Sequence, residues 1–193
     1  MNLQIPISQM KEEGNWPLPW VSAIGLIPEI AKLGDNIVGC ELGVSYGFNL
    51  VHFLENLPNI SKVYAIDPYM PYDDGPGGYI TQEVIDTVKR LVQINVEEYK
   101  EKVKFIFLPA DDAHQDIQNE SLDYIFIDGD HSFDAVRKDM KHYFSKVRAG
   151  GIFAGHDINL PEVQKAVEQF RKENNISAEL KTCANCVWYW YKG

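Results

Sequence analysis

The residues with most chemical potential in this chain are acids that recur where short apolar runs end. Glu41, Asp67, Asp111, Asp128 and Asp157 each follow a strand-like segment. One acid in such a place is a turn or cap residue. Five at successive strand ends would lie along one rim of a parallel sheet and line a single crevice. Two imidazoles, His131 and His156, fall beside the last two acids. Carboxylates next to imidazoles can hold a divalent cation or move a proton near neutral pH.

Asp67 is the most telling of the five. A carboxylate at the end of the second strand of a βαβ unit accepts two hydrogen bonds from a ribose diol, which implies a nucleoside-containing ligand. The turn before it decides what else that ligand carries. Diphosphate binding asks for G-x-G-x-x-G, so that backbone N–H groups can close on phosphate at a helix N-terminus. Here the turn reads Glu41-Leu42-Gly43-Val44-Ser45-Tyr46-Gly47, with a bulky Tyr46 between widely spaced glycines and an acid at its start that repels phosphate. Such a turn suits a ligand whose near end is zwitterionic or cationic. S-adenosylmethionine is one: it has a ribose diol, a sulfonium and an ammonium, and no phosphate.

These residues need a frame, and the hydrophobic pattern supplies it. Residues 37–40 read as a buried strand, 49–57 as a helix and 62–66 as a second strand ended by Asp67-Pro68. Further strands are expected over 103–108, 122–127 and 152–154, with helices over 81–100, from Ser132 onward and over 160–174. Thr81 is expected at an N-cap, with Val84, Val88, Leu91 and Val92 facing inward. Residues 178–182 and 187–191 read as a last pair of strands turning at Ala184-Asn185. Strands alternating with helices predict a Rossmann-like, doubly wound α/β sheet, mostly parallel. Upstream, 21–33 reads as a helix stopped at Gly34-Asp35. Residues 1–20 read as an irregular arm, in which Trp16 and Trp20 either pin the chain to the core or wall an acceptor pocket. The turn-rich run 70–80 follows a strand's carboxyl end and is expected to serve as a lid or acceptor loop.

Four motifs carry a family resemblance. ELGVSYG matches (E/D)-x-G-x-x-x-G, AIDPY matches an acidic motif on the second strand, and PADDA resembles an adenine-side motif. YIFIDGDHSFDAVRKDM followed by GGIFAGHD looks like a branch of small-molecule and sugar O-methyltransferases. Over residues 21–192 the chain resembles a class I S-adenosylmethionine-dependent methyltransferase, of the family 24 type. The resemblance implies one methyltransferase domain over 1–193 and a seven-stranded sheet whose last strand is antiparallel to the rest. It also implies S-adenosylmethionine as methyl donor. Glu41, Gly43, Ser45 and Gly47 would hold its methionine end and Asp67 its ribose. Asp111 with Asp112 would hold the adenine, and Asp128 would border the same ligand.

Neighbouring strands lie about 4.8 Å apart, which brings Asp128 next to His156 and Asp157. In metal-dependent relatives this rim holds magnesium, which grips acceptor oxygens and lowers a hydroxyl's pKa. Asp128 and Asp157 match that pattern. His156 stands where a hard cation prefers an acid, so Mn2+ is the alternative to Mg2+. His131 is the expected general base, with an ordinary pKa of about 6.5. Its other reading is a cap on the helix beginning at Ser132, and Asp130 is the alternative base with His131 orienting it.

The net charge of -10 argues against duplex nucleic acid as a partner. No apolar run reaches the roughly 20 residues of a membrane helix. No basic start precedes an apolar core, so no signal peptide is expected. Three cysteines fit a reducing, cytoplasmic setting. The pair Cys183 and Cys186 lacks the further ligands that zinc needs. His114 and His142 read as surface residues, and Lys138, Lys141 and Lys146 as a solvated helix face. The resulting expectation is methyl transfer to a hydroxyl of a small-molecule acceptor, with sugars among the candidates, metal assisting and a homodimer as the family-level assembly. The rivals are a nicotinamide-dependent oxidoreductase, which shares the Asp67 logic but lacks the phosphate turn, and a nucleotide-binding protein without catalysis.

Overall fold

The computed structural model describes residues 5–19, 21–73 and 78–193. In chain order its helices and strands are α1 (Ile7–Glu12), α2 (Ile27–Ile30), β1 (Ile37–Leu42), α3 (Phe48–Asn56), β2 (Ile60–Ile66), β3 (Tyr72–Asp73), β4 (Tyr79–Ile80) and α4 (Gln82–Asn95). Then follow β5 (Val103–Ile106), α5 (Ala110–Ala113), β6 (Leu122–Ile127), α6 (Phe133–Tyr143), β7 (Val147–Gly155), α7 (Pro161–Glu173), β8 (Lys181–Cys183) and β9 (Val187–Tyr191). Seven of the strands form one sheet in the order β5-β2-β1-β6-β7-β9-β8. From β1 the chain winds outward through β2 to β5, then crosses back to β6 and β7 on the other side. The strand order therefore reverses between β1 and β6, where a crevice opens at the strands' carboxyl ends. The last strand, β9, is antiparallel to both neighbours and so runs against the rest of the sheet, as expected.

Alternation along the strands feeds two apolar layers. One contains Phe53 of α3, Val88 and Val92 of α4, and Tyr124 and Phe126 of β6. The other contains Met140 of α6, Val167 and Phe170 of α7, Phe153 of β7, and Trp188 and Trp190 of β9. The aromatic run 188–191 is thus a core strand rather than a binding platform.

Several boundaries differ from the sequence expectation, each for a local reason. Residues 21–33 are not one helix: a 3-10 turn at Ser22–Leu26, a single α turn at α2 and a second 3-10 turn at Ala31–Leu33 replace it. Pro28 has no N–H to give and restricts Ile27 before it. A Cβ on Gly25 would lie 2.5 Å from Cys183 Sγ, so the segment presses closely on the β8–β9 hairpin. The arm is not wholly irregular either: α1 and Leu18 bury Ile7, Met10 and Leu18 in the first layer. Trp16 packs on Phe48 and donates to Glu55 at 3.0 Å, which is the pinning role; Trp20 and residues 74–77 of the expected lid lie outside the described residues. In α4 the inward residue is Ile85, while Val84 is 38% exposed, and the Thr81 hydroxyl makes no cap bond. The strand expected to reach Leu108 ends at Ile106. The strand expected over 152–154 begins earlier, at Val147, and its Ala149-Gly150 step is an irregularity in the pairing with β6.

Trp190 is fully buried and stacks on Phe153 and Trp188, yet its indole N–H has no partner. Its value is therefore volume, not hydrogen bonding. Trp190→Ala is expected to cost about 3–5 kcal/mol in urea unfolding. Trp190→Phe should cost less than half of that, because no buried hydrogen bond is lost with the indole.

Candidate active site

The site begins with a laced set of strand ends. Asp128 N–H donates to the Leu42 carbonyl at 2.8 Å, and Gly43 N–H donates to the Ile66 carbonyl at 2.9 Å. Gly43 has φ +79, and a Cβ there would lie 2.1 Å from the Asp128 carbonyl oxygen. Only glycine lets the end of β1 approach β6 this closely. Beyond it the turn is held by Asp67. The Oδ2 of Asp67 accepts the backbone N–H groups of Val44 (3.1 Å) and Ser45 (2.9 Å), and its Oδ1 accepts that of Tyr69 (2.8 Å). The Tyr69 hydroxyl returns a bond to the Ser45 carbonyl at 2.7 Å. Ser45 has φ +49, a left-handed conformation unusual for serine that these bonds hold in place.

These bonds bear on what Asp67 can offer a ribose diol. Two hydrogen bonds from a diol would need both carboxylate oxygens open, and here Oδ2 is occupied by the turn. One direction on Oδ1 remains. Of the expected methionine-end residues, Glu41 is an interior residue of β1, 1% exposed, and does not line the crevice. Burial, then Asp128 and Asp67, push its carboxyl well above the ordinary range, and its Oε2 has no partner among the described residues. A Cβ on Gly47 would lie 2.7 Å from Val92 Cγ2, so glycine relieves packing there.

Between the turn and the N-terminal segment lies a cavity of about 250 Å³, bordered by Val21, Ser22, Ser45, Asn49, Asp128 and His156, with Gly43 also in its wall. Of these, Val21, Ser22 and Asn49 carried no signal in the sequence. They belong to no motif, and only the fold brings the arm to the β1–β6 crevice.

The second constellation sits at its edge. His156 Nδ1 lies 3.2 Å from both Asp128 Oδ1 and Asp157 Oδ2, and His131 Nε2 lies 2.9 Å from Asp157 Oδ2 and 3.8 Å from Asp128 Oδ1. Bonds to Asp128 and then Asp157 raise His131 to about 9 despite its burial. Burial lowers His156, but the same two carboxylates outweigh it and raise its pKa to about 10. Hydrogen bonds from the two imidazoles hold Asp157 far below the usual carboxylate range. The quartet is thus two imidazoles laced to two carboxylates. Donor atoms of Asp128, His131 and Asp157 all lie within 4.8 Å of one another, and His156, the imidazole expected from the sequence, lies 3.2 Å from both carboxylates as well. Held as imidazolium, His131 has no lone pair to act as a base in this state, and it caps nothing. Asp130 Oδ1 accepts the Ser132 N–H at 2.8 Å, a turn bond just before α6, whose first turn has no side-chain cap.

A family comparison now has its geometric context. Residues 40–158 match the family model described as "Methyltransferase domain". The chain belongs to this methyltransferase family. The match runs from within β1 to just past β7 and includes every cavity-lining residue except Val21 and Ser22. No curated protein matches the chain in sequence. Among solved structures, the O-methyltransferase NovP superposes with TM-score 0.60 at 21% identity, over 89% of this chain and 76% of that one. A putative caffeoyl-CoA O-methyltransferase from Staphylococcus aureus gives TM-score 0.65 at 15% identity, over 97% and 90%. Spermidine synthase from Thermotoga maritima gives 0.59 at 12%, over 92% and 60%. At these identities the likeness establishes the fold alone.

The adenine-side acids of this methyltransferase domain are not equivalent. Asp111 is paired with Lys138 and lies 3.4 Å from His142 Nδ1, so it belongs to α6; Asp112 is exposed and makes no side-chain bond. His142 in turn stacks on His114 at 4.2 Å, so neither is a free surface residue. Asp139 of α6, 8% exposed, lies behind the Asp128-Gly129-Asp130 loop. Burial, with Asp111 and Asp130 adding to it, raises its pKa to about 7. In the folded state it keeps its proton up to that pH, while in the unfolded chain it ionises near pH 4, so folding loses stability as pH rises from about 4 to 7. Asp139→Asn should remove this loss. The variant is expected to gain on the order of 3 kcal/mol over the parent at pH 8 and almost nothing at pH 4, read from urea unfolding at both pH values.

Proposed function

We propose that this chain transfers the methyl group of S-adenosylmethionine to a hydroxyl of a small polyol such as a sugar, aided by a divalent cation on the rim. The observation that carries the reading is the use of the turn's N–H groups. In a diphosphate site they point outward at the ligand. Here those of Val44 and Ser45 are already donated to Asp67. What remains is a phosphate-averse pocket bordered by the carboxylate of Asp128, with the unpartnered Glu41 carboxyl behind it. That is a setting for an ammonium or sulfonium rather than a phosphate.

The residues then take distinct parts. Asp128 neutralises the amino-acid end of the donor in the cavity. Asp67 keeps the turn in shape and offers its remaining Oδ1 direction to one ribose hydroxyl. Asp112, free of other bonds, takes the adenine amino group. Bound S-adenosylmethionine supplies an electrophilic methyl carbon. Asp128, His131 and Asp157 would form a mixed carboxylate–imidazole set that suits Mn2+ as well as Mg2+ once an incoming cation displaces the His131 proton. A cation there would polarise an acceptor oxygen, and two neighbouring hydroxyls of a polyol could share it. Transfer to oxygen needs the acceptor held in line and one proton removed. Asp130 has one carboxylate oxygen uncommitted at the mouth of the crevice and is assigned that proton.

Calorimetry on the full chain should find S-adenosylhomocysteine binding and no binding of NAD. Asp67→Ala should weaken the former at least about tenfold, since charge-assisted bonds of about 1.5–3 kcal/mol each are lost from the turn. Binding of NAD in its place would convert the reading to an oxidoreductase. With a polyol panel as acceptor, Asp128→Ala or chelator should abolish methyl transfer. Transfer that persists through both would remove the cation from the account.

A further inference from the structure

One side chain joins the cavity wall to the rim. Asn49 Oδ1 accepts the Ala23 N–H at 3.0 Å and the Ser22 hydroxyl at 3.1 Å, while its Nδ2 donates to Asp128 Oδ2 at 3.1 Å. The backbone N–H of Ala23 can only donate, so it fixes which end of the amide is the oxygen and turns the NH2 toward Asp128. The wall itself cannot easily move: Val21, Ser22 and Ala23 are buried, and Asn185 of the β8–β9 hairpin donates to the Val21 carbonyl at 3.0 Å. Among the described residues Asn49 is the only donor to Asp128 Oδ2. The other oxygen, Oδ1, is left facing His156 and His131.

We propose that Asn49 is a positioning residue, whose amide, anchored on the N-terminal wall, aims the Asp128 carboxylate so that Oδ1 faces the cation position. This rests on the cation reading given above. Partners that orient a metal ligand affect metal affinity more than they affect the fold. A residue that merely ties the arm down would act the other way round. Asn95 is the comparison for that case: its amide also ties the arm, accepting the Ile7 N–H at 2.8 Å and donating to the Tyr46 carbonyl at 3.0 Å, but it does not touch the rim.

The test is Mn2+ binding to the full-length protein, read by electron paramagnetic resonance, beside thermal unfolding. Asn49→Ala removes the amide altogether. Asn49→Ser ends one bond short of both Ala23 and Asp128 but keeps a polar group in the wall, so it is the milder variant if the alanine variant does not fold. Both are expected to weaken Mn2+ binding roughly tenfold and, because the buried Ala23 N–H loses its acceptor, to lower the melting temperature, so the Mn2+ affinity of the folded protein is the deciding readout. Asn95→Ala should lower the melting temperature and leave Mn2+ affinity within about twofold. Parent-like Mn2+ affinity in Asn49→Ser would overturn the assignment, as would an equal loss in Asn95→Ala. A parent protein that binds no Mn2+ would instead overturn the cation reading, and this assignment with it.

Discussion

The structure depends on one carboxylate holding one turn. Asp67 sits at the end of β2 and reaches back to the loop that follows β1, where it receives two backbone N–H groups on a single oxygen. Each such charge-assisted bond contributes about 1.5–3 kcal/mol. Together they offset the left-handed backbone at Ser45 and fix the floor of the crevice. Gly43 permits this by bringing the turn within van der Waals range of the Asp128 backbone. Three strand ends are thereby locked at the topological switch point, and the cavity exists because the turn is tied sideways rather than opened toward a ligand.

The rim obeys a different constraint. Two carboxylates and two imidazoles share a space a few ångströms across in a chain with net charge -10. The protonated imidazoles neutralise the acids, so the cluster can be half-buried at low electrostatic cost. It is also supported from behind. Trp188 Nε1 donates to the His156 carbonyl at 3.0 Å, and the Cys186 carbonyl accepts the Ile158 N–H at 3.1 Å. The reversed last strand therefore completes the sheet and holds the segment that carries His156 and Asp157. This also explains the cysteine pair. It belongs to the hairpin that buttresses the rim, with Cys183 packed on Gly25.

Most of the frame was legible in the sequence because its cause is local. Apolar runs such as 122–127 make buried strands wherever they fall, and the acid after each run marks the strand's end. The helix expected over 21–33 failed at Pro28, a residue visible in the sequence, because the apolar spacing around it was weighted more heavily than the missing N–H. The site was less legible. An acid after β2 reads as a ribose ligand; that its Oδ2 accepts from the turn follows from the backbone angles of residues 43–45, which sequence does not state. His131 and His156 could not be told apart from sequence because both reach the same Asp157 Oδ2, from 2.9 and 3.2 Å, across two loops that meet only in the fold. Asn49 was invisible for a third reason: its partners, Ser22, Ala23 and Asp128, are distant in sequence and meet only after the arm docks.

The most direct test is a crystal structure of the protein with S-adenosylhomocysteine. The account predicts the ligand's amino-acid end between Ser22, Asn49 and Asp128, with Asp67 still accepting from Val44 and Ser45 and a single ribose hydroxyl on its other oxygen. A structure in which Asp67 releases the turn to grip both hydroxyls, or in which the ligand lies away from the β1–β6 crevice, would contradict it.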